Sequence, residues 1–274
     1  MGQSQEQSAP LSLRARNISI NSENAIHNDE GARALGYAGG LVSGVTVYGY
    51  MVQPVVNRFG AGWLERNATR VAFFKPVYDG DPLTIHAETP LEDGGRRMIV
   101  TAAKAGGEHV ARMETEMCSS APGRDSPAVR DASPADGERP PFDWEAVVVG
   151  KPFRPLKWSP IEGENRKWCE SVMDDSPIYG SDTPAPLHPS WILQQANNAI
   201  SHQFRMNPWL HVSSRIVTRR VLRVGEDVTI EAVPLEKWEK RGNRYALLEV
   251  TISASGEPVL HIRHKAILQV AKPE

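Results

Sequence analysis

Between Asn21 and Gly44 the chain reads N-S-E-N-A-I-H-N-D-E-G-A-R-A-L-G-Y-A-G-G-L-V-S-G, and most of its candidate chemistry lies here. His27 follows a polar cluster of Ser22, Glu23 and Asn24, and a neutral imidazole beside a pocket can take or give a proton near pH 7. Gly36, Gly39 and Gly40 make a turn that leads to Ser43 and Gly44 at the start of an apolar helix. The first turn of a helix leaves backbone N–H groups unused and carries a positive dipole end. With glycine at that point a carbonyl oxygen can approach the backbone and be polarised. Ser43 and Gly44 are therefore candidate carbonyl-binding residues, with Tyr48, one turn further on, as a candidate substrate contact. The plainer readings are a structural histidine, a glycine kept for helix packing and core tyrosines.

Two further elements must position these groups. A helix is expected from Ser43 to Phe59 and another from Pro189 to Arg205, both apolar round much of their circumference and so largely buried. Ser43 suits an N-cap and Pro189 the first helical position, while Pro54 should kink or shorten the first helix. Strands are expected at about 69–74, 83–89, 98–105 and 109–118, then at 213–222, 227–233, 245–254 and 259–270, separated by glycine-rich turns such as Tyr78-Asp79-Gly80-Asp81 and Glu92-Asp93-Gly94-Gly95. A buried helix followed by an antiparallel meander implies a sheet wrapped round the helix.

The pattern occurs twice. Thr69-Arg70-Val71 and the Gly80 turn return as Ser214-Arg215-Ile216 and the Gly225 turn, each 145 positions later, which points to an internal duplication. Between the copies, residues 119–141 are rich in Pro, Ser, Gly, Asp and Arg and read as a linker. The expected plan is a lead at 1–10, polar, disordered and no secretory signal, a first α+β unit at 11–118, the linker, and a second unit at 142–274. Two such units should pair their sheets edge to edge, as in a duplicated homodimer.

Composition narrows the class. The chain has 274 residues, 40% hydrophobic and 23% charged, with a net charge of -2. No basic face for nucleic acid or anionic lipid is expected, and no apolar run is long enough to span a membrane. Cys118 and Cys169 stand outside any CxxC or Cys/His cluster, so no metal site is expected and reduced thiols in a cytoplasmic protein are.

These features together resemble the hotdog fold, in particular the MaoC-like (R)-specific enoyl-CoA hydratases and dehydratases. That family's motif runs roughly D-x-N-P-x-H, followed by a small-residue turn ending in H-G. Here it reads Ser22-Glu23-Asn24-Ala25-Ile26-His27 and Ser43-Gly44, so Asn24, His27 and Gly44 match. Asp29-Glu30 with Ala34 and Gly36, and Pro76-Val77-Tyr78-Asp79-Gly80-Asp81, are also similar to the family. The second unit carries Asp174-Asp175-Ser176-Pro177-Ile178-Tyr179, with Tyr in the histidine position, and His188 falls opposite Ser43. The resemblance implies a tandem double hotdog whose second unit is degenerate. It implies a lyase of fatty-acid metabolism that adds water to, or removes it from, an α,β-unsaturated acyl thioester. It needs no cofactor beyond the coenzyme A or acyl carrier protein of the substrate, and it works as a homodimer or higher homo-oligomer.

The departure from the motif is chemical. The family's Asp is Ser22, which holds no charge at neutral pH, and Tyr179 is a far weaker base than histidine, with a reference pKa of about 10. Glu23 could replace the missing carboxylate, His27 could act unaided, or Asp174 or Asp175 could reach across from the other unit; the first two are favoured. Asn24 is expected to position His27 or water. A thioesterase is a weaker alternative, because such hotdogs carry a carboxylate in or near the central helix and neither helix here contains Asp or Glu. A non-catalytic acyl-binding or partner subunit is the reading from another class. Arg215, Arg219, Arg220 and Arg223 could meet the phosphates of coenzyme A or simply face solvent, and the tryptophans of the second unit could close a pocket, form an interface or pack the core.

Overall fold

In the computed structural model the described residues are 5–7, 9–90, 94–120, 137–180, 183–206 and 208–272. Most of the expected linker and the Glu92-Asp93 part of one expected turn lie outside them. The first unit runs β1 (Gln5–Gln7), β2 (Leu11–Arg14), a 3-10 turn (Ala25–His27), α1 (Asp29–Arg33), α2 (Gly44–Phe59), α3 (Ala61–Glu65), β3 (Asn67–Phe73), β4 (Pro82–Pro90), β5 (Arg97–Lys104) and β6 (His109–Met117). The second runs β7 (Leu156–Trp158), α4 (Glu162–Ser171), a 3-10 turn (Pro177–Tyr179), α5 (Pro189–Gln203), β8 (Leu210–Thr218), β9 (Val228–Lys240), β10 (Asn243–Ala254) and β11 (Glu257–Gln269).

The strands form one antiparallel sheet in the order β1-β4-β5-β6-β3-β8-β11-β10-β9-β7, with β2 also on β4. The order is the same read outward from its centre in either direction, β3-β6-β5-β4 against β8-β11-β10-β9. At the seam Arg70 of β3 lies opposite Arg215 of β8, with Thr69 opposite Ile216 and Val71 opposite Ser214. Arg70 and Arg215, 145 positions apart, thus face each other on a local pseudo-twofold axis that exchanges the flanking pairs, the arrangement that an antiparallel pairing of two equivalent strands requires. This is the α+β double hotdog architecture.

Inside the curved sheet α2 packs against α5. Ten of the sixteen residues of α2 are buried, so its apolar circumference serves a core on nearly every side. The helices approach closely at Gly49, where a Cβ would meet Val172 at 2.9 Å and Ser190 Oγ at 3.0 Å. Contrary to the expected shortening, α2 continues through Pro54 to Phe59; packing on both sides of that turn outweighs one missing backbone bond. The lead is also not free throughout, since Gln5–Gln7 pair with β4, whose outer edge is otherwise unpaired there. Both cysteines are free thiols, Cys169 buried and Cys118 partly so. No helix of the described residues is long and apolar enough to cross a membrane, and no metal-ligand cluster occurs among them.

Candidate active site

The segment before α2 is pinned from several directions. Asn24 Oδ1 caps the 3-10 turn at Ile26 N, and Asn28 Oδ1 takes the N–H of Gly31 to start α1. Asp29 Oδ1 accepts from Gly40 N at 2.9 Å, and Asn17 Nδ2 donates to His27 O at 2.8 Å. Leu41 N donates back to Ile26 O, which folds the glycine turn onto the histidine. The turn needs glycine for space: a Cβ on Gly40 would sit 2.3 Å from His27 O, and one on Gly31 2.3 Å from Ala25 O.

His27 Nδ1 lies 2.7 Å from Leu41 O. A carbonyl only accepts, so Nδ1 carries the proton and Nε2 is left with its lone pair, with no partner among the described residues. Burial pushes the imidazole pKa below its ordinary value, against the smaller opposing effect of the Leu41 carbonyl, which keeps the ring neutral at pH 7. The ring borders a cavity of about 490 Å³ that Ser22, Ser43, Gly44 and Val47 also line. His27 thus stands as a neutral base beside the N-terminus of α2, where Gly44 offers a backbone N–H.

The expected partners of His27 are placed otherwise. Glu23 borders the cavity, but its two carboxylate oxygens each accept from Arg139 at 2.8 Å, and its side chain is 72% exposed. Those guanidinium hydrogen bonds hold its pKa below the usual carboxylate value, and it makes no bond to the imidazole. Asn24 is a tie between the two units: Nδ2 donates to Trp209 O at 3.0 Å and Oδ1 accepts from Trp209 N at 3.2 Å. Oδ1 is thus filled by Ile26 N and Trp209 N and one Nδ2 proton by Trp209 O, so Asn24 fixes the 3-10 turn and makes no hydrogen bond to the His27 ring among the described residues. Ser22 lines the cavity and makes no hydrogen bond to His27 among the described residues. Tyr48 does not line it: the ring is 2% exposed and faces Trp63, Leu187 and Leu193, because Val47 takes the position on α2 that borders the cavity.

The counterpart site of the second unit has closed on itself. His188 and Asp174 are buried, and Nε2 of His188 lies 3.1 Å from Asp174 Oδ2. Ser190 N–H donates to His188 Nδ1, which makes Nδ1 the acceptor and puts the ring proton on Nε2, toward Asp174. Ser190 Oγ, 2.8 Å from Nδ1, accepts from Trp168 Nε1 at 2.8 Å and so gives its own proton to the ring. Ser176 N takes the other Asp174 oxygen at 3.0 Å. Both Asp174 oxygens and both His188 ring nitrogens are used within the network, Tyr179 is packed over His188 at 4.8 Å, and Asp174 is not available to His27.

Residues not singled out from the sequence complete the cavity. Gln194, Asn197, Asn198 and Ser201 of α5 line the same cavity from the second unit, together with Trp209 and His211. Their signal was present: positions 194, 197, 198 and 201 follow the i, i+3, i+4, i+7 pattern of one helix face, and a polar stripe on an otherwise buried helix marks a polar cavity. The site is therefore shared by both units.

No family model matches the sequence, and no curated protein matches it significantly. Solved structures do match over nearly their whole length. A MaoC-like dehydratase aligns with a TM-score of 0.63 and 15% identity over 96% of this chain and 97% of its own. A protein described as a MaoC domain protein dehydratase from Chloroflexus aurantiacus gives 0.66 and 11% over 98% and 95%. A conserved protein from Mycobacterium tuberculosis, described as a double hotdog fold, gives 0.66 and 13% over 97% and 96%. Proteins described as thioesterases also share the architecture. At such identities the likeness is one of fold: the chain is a double hotdog whose structural neighbours include MaoC-like dehydratases.

Proposed function

We propose that the protein is a MaoC-like hydratase/dehydratase acting on an α,β-unsaturated acyl thioester, with His27 as its single acid–base group. The supporting observation is the neutral imidazole held by Leu41 O, with Nε2 unpartnered at the cavity that Gly44 also lines. In the hydration direction Nε2 takes a proton from water as the oxygen bonds to Cβ. The electron pair of the double bond moves onto the thioester oxygen, which accepts from the Gly44 N–H. The imidazolium then returns its proton to Cα as the carbonyl reforms, so one water has been added and the catalyst is regenerated. One group serving both steps delivers both atoms from one face and needs no second carboxylate. Nδ1–H stays on Leu41 O throughout and stabilises the imidazolium as it forms.

The substrate would be a thioester of coenzyme A or acyl carrier protein, with no further cofactor, and the protein would act as a homo-oligomer in the cytoplasm. The thioesterase reading lacks its usual carboxylate, since neither α2 nor α5 contains Asp or Glu. The test is hydration of crotonyl-CoA and longer enoyl-CoAs. Wild type should turn over, and His27→Ala should lose at least about a hundredfold in kcat/KM. Activity unchanged by that substitution removes His27 from the mechanism. No turnover by wild type, with retained acyl-CoA binding, favours a non-catalytic acyl-binding subunit.

A further inference from the structure

On the outer face of the sheet, at the seam between the units, the strand register gathers cations. Arg70 is exposed between buried Thr69 and Val71, and Arg215 stands between buried Ser214 and Ile216, so both point away from the central helices. Across β6, β3, β8, β11 and β10 one row reads Glu114, Arg70, Arg215, Arg263 and Glu249. The next row reads Arg112, Ala72, Ser213, Lys265 and Leu247. Five cations thus meet two carboxylates, on a chain whose net charge of -2 pointed to no basic face. Arg112 pairs with Glu114 at 3.0 Å and Arg263 with Glu249 at 3.3 Å. Three arginines still stand side by side on adjacent strands. Like charges directly opposite each other destabilise a sheet, whereas a face serving only solubility intersperses its signs.

The second row supplies a floor. Arg112 and Lys265 flank the small residues Ala72 and Ser213, and the strands that carry the two cations lie about 14 Å apart, three strand spacings. The result is a depression of about 390 Å³ lined by all five cations. Guanidinium forks take phosphate oxygens two at a time, and a floor without long side chains lets a phosphate settle among them. The depression adjoins the His27 cavity. Phe74 lines both, and Lys265 Nζ lies 5.6 Å from the ring of Tyr245, another residue of the cavity wall.

We infer that this depression binds the phosphates of the substrate's carrier, and that the carrier is therefore coenzyme A rather than an acyl carrier protein. This use of the depression rests on the acyl-thioester reading of the His27 cavity. The acyl group and thioester occupy that cavity, the pantetheine arm passes Phe74, and Arg70, Arg215 and Arg263 take the phosphates. The arm of a carrier protein brings a single phosphodiester; the nucleotide of coenzyme A brings several phosphates, which suits five cations round one floor.

Saturated thioesters cannot be hydrated, so their binding tests the depression apart from turnover. Butyryl-CoA and butyryl-pantetheine, which lacks the nucleotide, are titrated calorimetrically into the full-length protein. Butyryl-CoA should bind at least about tenfold tighter, the size expected of charged hydrogen bonds gained, and the ratio should shrink as salt rises. In the double variant Arg70→Gln with Arg215→Gln the ratio should fall below about threefold, while the melting temperature holds or rises because the like-charge row is relieved. Lys265→Gln, in the other row, should lower the ratio at least about threefold and decides the matter where the double variant fails to fold. Equal binding of the two thioesters by wild type, or a ratio unchanged by the substitutions, overturns the inference. So does a butyryl carrier protein that binds tighter than butyryl-CoA through the same arginines, which would make this face a protein-docking surface. Crotonyl-pantetheine hydrated as well as crotonyl-CoA would remove the nucleotide site and leave the lyase reading intact. Arginine-dependent binding of butyryl-CoA without hydration of any enoyl thioester would do the reverse. If no thioester binds and none is hydrated, both fail.

Discussion

Gly40→Ala is the sharpest test of how the loop holds His27. An ideal Cβ at this position lies 2.3 Å from His27 O, 2.9 Å from His27 C and 3.1 Å from Asn28 C. These are backbone atoms that cannot rotate away, so one strand of the loop must shift by about 1 Å to restore ordinary contact. Two things oppose the shift, the 2.8 Å bond from Asn17 to His27 O and the 2.9 Å bond from Gly40 N to Asp29. Overpacking of this kind costs about 1–3 kcal/mol, or a fall of roughly 2–10 °C in melting temperature for a chain of this size. Moving a catalytic group about 1 Å costs on the order of a hundredfold in rate. The assay is kcat/KM on crotonyl-CoA beside thermal melting, with Gly39→Ala as control, since its Cβ meets only the Asp29 side chain, at 3.1 Å. A Gly40→Ala protein with wild-type melting and wild-type kcat/KM would refute the claim that this contact sets the position of His27.

Three further outcomes follow from the same geometry. Glu23→Gln should change kcat/KM by less than about threefold and stability by less than about 1 kcal/mol, because the Arg139 pair is largely exposed; a hundredfold loss would show that Glu23 serves as the missing carboxylate. Asp174→Ala should destabilise by about 2–4 kcal/mol through the orphaned His188 Nε2–H and Ser176 N–H, while turnover per folded molecule stays the same; urea unfolding with activity measured on the folded fraction checks both. Stability should fall as pH drops below about 6.5, because burial lowers the folded-state pKa of His264 to about 3 and that of His211 well below normal, so the unfolded chain binds protons that the native state refuses. For His264 alone the loss at pH 4.5 is on the order of 3 kcal/mol, and a urea midpoint that stays flat from pH 7 to 4.5 would contradict it.

The fold was legible because its signals are local and repeated. Periodic apolar runs placed both central helices to within two residues at their ends, and the spacing of 145 between Arg70 and Arg215 turned out to mark the strand pair at the seam. That His27 and Gly44 border one cavity was legible because loop and helix start adjoin in sequence. The environment of His27 was not. Ser22, Glu23 and Asn24 gave a list of candidates, but whether Glu23 turns to the imidazole or away depends on Arg139, 116 positions later. Likewise nothing near Asn24 in the sequence says that its amide pairs with the backbone of Trp209, 185 positions away. Contacts across a pseudo-dyad have no local signature, so residue type alone could not assign them.

The two units show what one site gains when its twin closes. In the second, Asp174 and His188 have the carboxylate–imidazole contact that His27 lacks, yet tryptophan, serine and backbone donors use up both side chains. In the first, the imidazole has only a carbonyl behind it, and its Nε2 remains open to the cavity. A buried carboxylate behind the ring would raise its pKa and favour the imidazolium; a carbonyl leaves desolvation dominant and the base form prevalent at neutral pH. A serine at position 22 in place of a carboxylate is therefore compatible with a basic His27. Under the proposed function it leaves one weakly basic group that both takes and returns the proton, which suits a substrate whose α-carbon accepts it from the same side.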